Sequence, residues 1–89
     1  MRIKAGFTMR SMGKDFIVIG EGLAHVNFNK ILNLNESAAY LWEKLVGKEF
    51  TVEDMASLLM AEYDVNQELA TKDAANLAQT WKEQGVLED

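Results

Sequence analysis

The length, composition and charge of this chain allow one small folded domain and exclude several classes of protein. Its 89 residues are 48% hydrophobic and contain no cysteine, so a packed core must stabilise the fold without disulfides or thiolate metal sites. No apolar run approaches the roughly 18 residues of a membrane span, and no signal peptide is present, which predicts a single soluble, cytoplasmic domain over residues 1–89 that has no membrane partner.

The first third of the chain has the pattern of β-strands. "GFTMRSM" alternates apolar and polar residues with a period of two, and "DFIVIGEG" is rich in β-branched residues. Gly13–Asp15 lies between them and supplies turn chemistry, so the two segments are predicted to form a hairpin. We expect a bend at Asn27 and Asn29 and a third strand at Lys30–Leu34, with the two leucines of that strand on one face.

The remaining residues have the pattern of three helices. Asn35 is predicted to cap the first helix, which ends before Gly47. Thr51 is predicted to cap the second, with Asp54 completing a capping box. The third helix follows the "DVNQ" connection and ends before Gly85. Strands followed by helices predict an α+β fold, in which a small three-stranded antiparallel sheet is covered by helices on one face.

No pattern in the sequence indicates catalysis or a metal site. His25 is the only histidine, and neither a phosphate-binding glycine loop nor a nucleophile elbow occurs. The carboxylates of "EYD" at 62–64 lack the histidine or the EF-hand loop that would support a metal site. We therefore expect a protein that is not an enzyme and has no cofactor. A small-molecule pocket on the aromatic residues stays a less favoured alternative, because helical spacing places most of them in the core. These residues are Tyr40, Trp42, Tyr63 and Trp81.

Nucleic-acid binding is an alternative, because strands and three short helices can build a winged helix-turn-helix. The second helix, however, has no basic residue between Thr51 and Tyr63, and it has three acidic ones. In the third helix, Lys72 and Lys82 are offset by acidic neighbours. Since phosphate neutralisation by Lys and Arg dominates the affinity for DNA, this composition disfavours a nucleic-acid partner.

The predicted sheet has apolar surface that one layer of helices cannot cover. "FIVI" at 16–19 is apolar on both faces, and a small sheet has two edges that soluble proteins usually protect. A homodimer partner, an extended peptide added as a fourth strand, or loops of the same chain could cover this surface. Residues 1–34 carry a charge of +3 and residues 35–89 carry −8, and the basic first third favours an acidic peptide.

The order and spacing of several motifs between residues 30 and 88 resemble the PqqD family. The motifs are "LNESAAYLWEKLVG", "TVEDMASLL", "DAANLAQTW" and "GVLE". The resemblance implies a winged helix-turn-helix-like domain, also called a RiPP recognition element, which binds the leader of a ribosomally made precursor peptide. It also implies presentation of that peptide to a modifying enzyme of the radical S-adenosylmethionine type, as in pyrroloquinoline quinone biosynthesis.

The resemblance also implies where the leader binds. In the family the leader adds as a strand along the third strand, in the groove that faces the third helix. Carried onto this chain, the implied peptide-binding residues are Lys30, Ile31, Leu32, Asn33 and Leu34 on the strand, and Asp73, Asn76, Leu77 and Thr80 on the helix.

Overall fold

The computed structural model describes residues 1–13, 15–20 and 32–88. The elements in chain order are β1 (Arg2–Ile3), β2 (Phe7–Met12), β3 (Asp15–Gly20), β4 (Leu32–Leu34), α1 (Glu36–Leu45), α2 (Val52–Glu62), α3 (Gln67–Glu83) and β5 (Leu87–Glu88). The predicted α+β order, a three-stranded antiparallel sheet followed by three helices, is confirmed. The predicted bend at Asn27 and Asn29 and the first two residues of the predicted third strand, Lys30 and Ile31, lie outside the described residues.

The main sheet has the order β2-β3-β4, and the predicted hairpin forms its first two strands. Val18 of β3 lies opposite Met9 on one side and Leu32 on the other, and this face packs against the helices. Ile17 lies opposite Asn33 on the other face. As predicted, the two leucines of β4 share one face, because side chains alternate between the faces of a strand; both are buried, and Asn33 is exposed.

A second sheet joins the two ends of the described chain and was not predicted from the sequence. In it, β1 pairs with β5, and Ile3 lies opposite Leu87. The backbone N–H of Lys4 also donates to the carbonyl of Val86 at 2.9 Å. Strands of two residues are too short to show a period, so they leave no pattern in the sequence.

The predicted caps fix the starts of α1 and α2. The Asn35 side chain accepts a hydrogen bond from the backbone N–H of Ala38 at 2.8 Å. Thr51 and Asp54 form the predicted capping box: Thr51 Oγ1 accepts from the Asp54 N–H at 3.1 Å, and the Asp54 carboxylate accepts from the Thr51 N–H at 2.9 Å. Each cap satisfies backbone donors that a helix start leaves unpaired.

Side-chain and backbone caps also fix both ends of α3. The Asn66 side chain accepts from the Leu69 N–H at 2.8 Å at the start of the helix. At its end, Gly85 has φ +80°, and the N–H of Val86 donates to the Trp81 carbonyl at 3.1 Å, as the Schellman motif requires. Val86 is fully buried, so the chain folds back onto the last turn as predicted.

The core is continuous from the sheet to the helices and is built around two tryptophans. The rings of Trp42 in α1 and Trp81 in α3 pack edge to face with centroids 5.3 Å apart. Phe7 of β2 packs edge-on against Trp42 at 6.5 Å. Both tryptophans and their neighbours lie in one cluster of buried side chains, which holds α1 and α3 in a fixed relation to the sheet. None of the helices in the described part of the chain is long and apolar enough to cross a membrane.

Candidate functional site

A groove of about 730 Å³ lies between the start of α1, the end of α2 and one face of α3. The buried side chains of Ala38, Leu41 and Leu59, from α1 and α2, lie beneath it. The remaining lining residues are Asn35, Glu36, Ser37, Tyr63, Val65, Asp73, Asn76, Leu77 and Thr80. A volume in this range is typical of small-ligand sites and admits several peptide side chains.

One wall of the groove is the face of α3 that the family resemblance implies. Asp73, Asn76, Leu77 and Thr80 all line the groove. Their spacing of i, i+3, i+4 and i+7 places them on one face of a helix. Leu77 is half-buried against the core, while the Thr80 hydroxyl donates to the backbone carbonyl of Asn76 at 3.0 Å. The wall therefore offers one apolar side chain among amide, hydroxyl and carboxylate groups.

The opposite wall begins where β4 ends. Asn35 follows β4 directly, caps α1 and lines the groove. Its Oδ1 also accepts a hydrogen bond from the Ser37 hydroxyl at 3.1 Å, which adds a second contact within the first turn. A strand that runs into a capped helix without a linker has little freedom to move relative to that helix. The end of β4 is therefore held at the groove.

The side chains of β4 do not line the groove, in contrast to those of α3. Leu32 and Leu34 belong to the buried core, and Asn33 lies on the exposed face of the sheet. β4 lies at the edge of the three-stranded sheet, paired with β3 on one side, and no strand of the described residues pairs with its other side. What β4 can offer a ligand is therefore its backbone edge.

The end of α2 contributes Tyr63, one of the four aromatic residues named in the sequence analysis. Tyr63 lines the groove and packs edge to face with Tyr40 at 6.0 Å, and the Tyr40 hydroxyl donates to the Leu58 carbonyl at 3.2 Å. Burial raises the pKa of the Tyr63 phenol above its usual value, and the carboxylates of Glu36 and Glu62 raise this pKa further. Tyr63 is therefore a half-buried phenol close to two carboxylates at one end of the groove.

The groove does not have the donor set of a metal centre. Among the described residues, no group of three or more His, Cys, Asp or Glu side chains could hold a metal ion. Its lining side chains are apolar groups, amides, hydroxyls, carboxylates and a phenol, which suit hydrogen bonding and apolar contact.

A family model described as "Coenzyme PQQ synthesis protein D (PqqD)" matches residues 19–87. The chain belongs to the PqqD family. The resemblance seen in the helical motifs is thereby confirmed, and the match extends into the strand region. A search of curated proteins gave no match to this PqqD-family chain.

Two solved structures share the fold of this PqqD-family protein. One is TbiB1 in complex with the TbiA(beta) leader peptide, with a TM-score of 0.77, 15% identity, and coverage of 99% of this chain and 95% of that chain. The other is lasso peptide synthetase B1 complexed with the leader peptide, with a TM-score of 0.74, 22% identity, and coverage of 99% and 96%. At these identities the likeness establishes the fold.

Sequence reasoning missed the groove residues outside α3 in this PqqD-family protein. Glu36, Tyr63 and Val65 line the groove, although none of them was predicted from the sequence to be part of the peptide-binding site. The sequence offers one signal for such residues: a side chain at the edge of a helix's apolar stripe can contact both the core and a groove beside it.

Proposed function

We propose that this protein binds the leader segment of a ribosomally made precursor peptide, which adds as a strand along β4 while its side chains enter the groove. The observation that carries this proposal is the placement of Asp73, Asn76, Leu77 and Thr80 in one groove that opens where an edge strand ends. Membership of the PqqD family and the two structural neighbours, each solved with a leader peptide, support it.

Strand addition depends on unpaired backbone groups held in a straight, rigid line. β4 is anchored on one side by its ladder to β3 and at its end by the Asn35 cap. The protein therefore loses little freedom on binding, and the peptide bears most of the ordering cost, about 2–5 kcal/mol. Backbone hydrogen bonds along β4 then supply affinity that does not depend on the peptide's sequence.

The groove supplies the selectivity in this proposal. The half-buried Tyr63, Val65 and Leu77 offer apolar surface to alternate side chains of the peptide, and the amides and hydroxyls around them accept or donate hydrogen bonds. A leader segment of this kind buries less than about 1,200 Å² in total, which is at the low end of specific interfaces. We expect micromolar or submicromolar binding, reversible enough for the peptide to be handed over.

The second part of the proposal is presentation of the bound precursor to a modifying enzyme. The groove holds only the leader, so the segment to be modified stays outside it and accessible to a partner. The family resemblance implies a partner of the radical S-adenosylmethionine type. In this view the protein itself is a peptide-binding chaperone and not a catalyst.

The site is tested by titrating the isotope-labelled protein with synthetic leader segments encoded by short open reading frames beside its gene. We expect amide shifts in β4 and at Asp73, Asn76, Leu77 and Thr80. Shifts confined to the second half of α1, or no shift with any segment, would reject the site. Retention of the protein on heparin at moderate salt would instead favour the nucleic-acid alternative.

Strand addition itself is tested on the peptide, which avoids damage to the protein fold. A series of peptides, each with one backbone nitrogen methylated, is measured by calorimetry. Because only every second residue of an added strand hydrogen-bonds to its neighbour, affinity should fall at alternate positions only. Affinity losses that do not alternate along the peptide would contradict strand addition and would indicate that the ligand binds as a helix or an irregular segment.

A further inference from the structure

We propose that the groove selects a leader that carries a Lys or Arg next to its apolar anchor residue, an inference that rests on the proposed function. The Lys or Arg side chain of the leader would lie between the carboxylates of Glu36 and Asp73. This inference is opposite to the expectation of an acidic peptide that the basic first third of the sequence favours.

The charges that line the groove have one sign. Glu36 on the α1 wall and Asp73 on the α3 wall both contribute carboxylates, and the lining includes no Lys, Arg or His among the described residues. Both acidic side chains are exposed in the unbound protein, so each keeps its hydration until a ligand arrives. A peptide lying between the two walls passes both carboxylates.

A second feature concerns the carboxylates near the α2 end of the groove. The phenol of Tyr63, at the end of α2, has a raised pKa to which the Glu36 carboxylate contributes, after desolvation. Glu62 adds to the same effect, and Asp64 follows directly in the chain. The carboxylates that disfavour a negative charge on Tyr63 would attract a cation placed beside it.

The positive end of the α1 dipole opposes this field but is weaker. The start of a helix carries roughly half a positive charge, and the Asn35 side chain already occupies one of its N–H donors. The two carboxylates together carry about two negative charges at neutral pH. Asp73 lies in the middle of α3, away from the dipole at either end. Among the described residues, the charge that lines the groove is therefore net negative.

The selectivity is tested with a displayed library of random ten-residue peptides, which does not require the natural leader to be identified first. The immobilised full chain is the target, and peptides that bind the Leu77→Ala variant equally well are discarded, because they do not use the groove. The charge variant is Glu36→Gln with Asp73→Asn. The matched control is Glu53→Gln with Glu43→Gln, which removes one first-turn carboxylate and one further exposed helical carboxylate outside the groove.

We expect Lys and Arg to be enriched over Asp and Glu among groove-dependent peptides. The best of these should bind the charge variant on the order of three- to tenfold more weakly, since each partly exposed ion pair contributes little. The control pair should retain the affinity of the original chain within about twofold. Added salt should weaken binding to the original chain more than binding to the charge variant.

The alternative outcomes separate this inference from the proposed function. The charge preference would be overturned if groove-dependent peptides showed no enrichment of Lys and Arg, or if the enriched peptides bound the charge variant as tightly as the original chain. Either result would leave peptide binding intact. Failure to recover any groove-dependent peptide, together with no response to the leader segments encoded beside the gene, would overturn both.

Discussion

Replacement of Leu77 by alanine tests most directly whether the α3 face binds the leader. Leu77 is half-buried: part of its side chain packs against the core, and the rest lines the groove. The substitution removes three carbon atoms at a mid-helix position where alanine is well tolerated. It therefore removes apolar contact with the ligand and keeps the helix.

The magnitude follows from the surface that a ligand would newly cover. A fully buried methylene contributes about 0.8 kcal/mol, so three carbons with half of their surface left for the ligand contribute about 1–1.5 kcal/mol. Binding should weaken about five- to tenfold. The loss of unfolding free energy should stay below the roughly 2–5 kcal/mol of a fully buried Leu→Ala change, because the side chain is not enclosed in the unbound protein.

The assay is calorimetric titration with the leader segment that gives the largest amide shifts, beside urea unfolding of each variant. Leu69→Ala is the matched control: it lies on the same helix, its side chain is 46% exposed, and it does not line the groove. It should change affinity by less than about twofold and stability by less than about 0.5 kcal/mol. A folded Leu77→Ala variant with unchanged affinity, or an equal loss in both variants, would refute the role given to the α3 face.

Three further predictions concern stability and electrostatics. Thr51→Ala should lower the unfolding free energy by about 1 kcal/mol in urea titrations and leave leader binding unchanged, because it removes a helix cap outside the groove; an equal loss of affinity would contradict the position of the site. Gly85→Ala should lower the free energy of unfolding by about 1–2 kcal/mol, because alanine disfavours the φ of +80°, although an added Cβ meets no atom within 4 Å. Unaltered stability would mean that the Schellman ending is absent in solution. The pKa of Tyr63 in the folded protein exceeds the ordinary 10.0, so the stability that its neutral phenol contributes is present below pH 10.0 and is lost as the pH rises above it. Glu36→Gln should lower this pKa without restoring the ordinary value, because desolvation remains the larger cause. Absorbance titration, with Tyr63→Phe subtracted to remove the other tyrosine, measures that pKa; no change in Glu36→Gln would show that the two groups are not neighbours.

The sequence was sufficient for the order of the three main strands and the three helices, and for most helix ends. Thr51 with Asp54, and Gly85 with the residue that follows it, act over three or four positions, so their chemistry is legible before the fold is known. The period-two pattern located the hairpin for the same reason. The α3 residues of the site came from the family resemblance, and helical spacing alone explains why they share one face.

The tertiary structure decided which residues meet across the groove. Glu36 and Asp73 are far apart in the chain and lie on different helices, yet both line the same space beside Tyr63. No local pattern records this, because the distance between two helices depends on the side chains packed between them, here chiefly the Trp42–Trp81 pair. The pairing of β1 with β5 could not be predicted from the sequence for a related reason. Its stability comes from contacts between the two ends of the described chain, and neither strand has a sequence pattern of its own. The sequence therefore determined the hairpin and the three helices, while the packing of those segments determined which side chains line the groove.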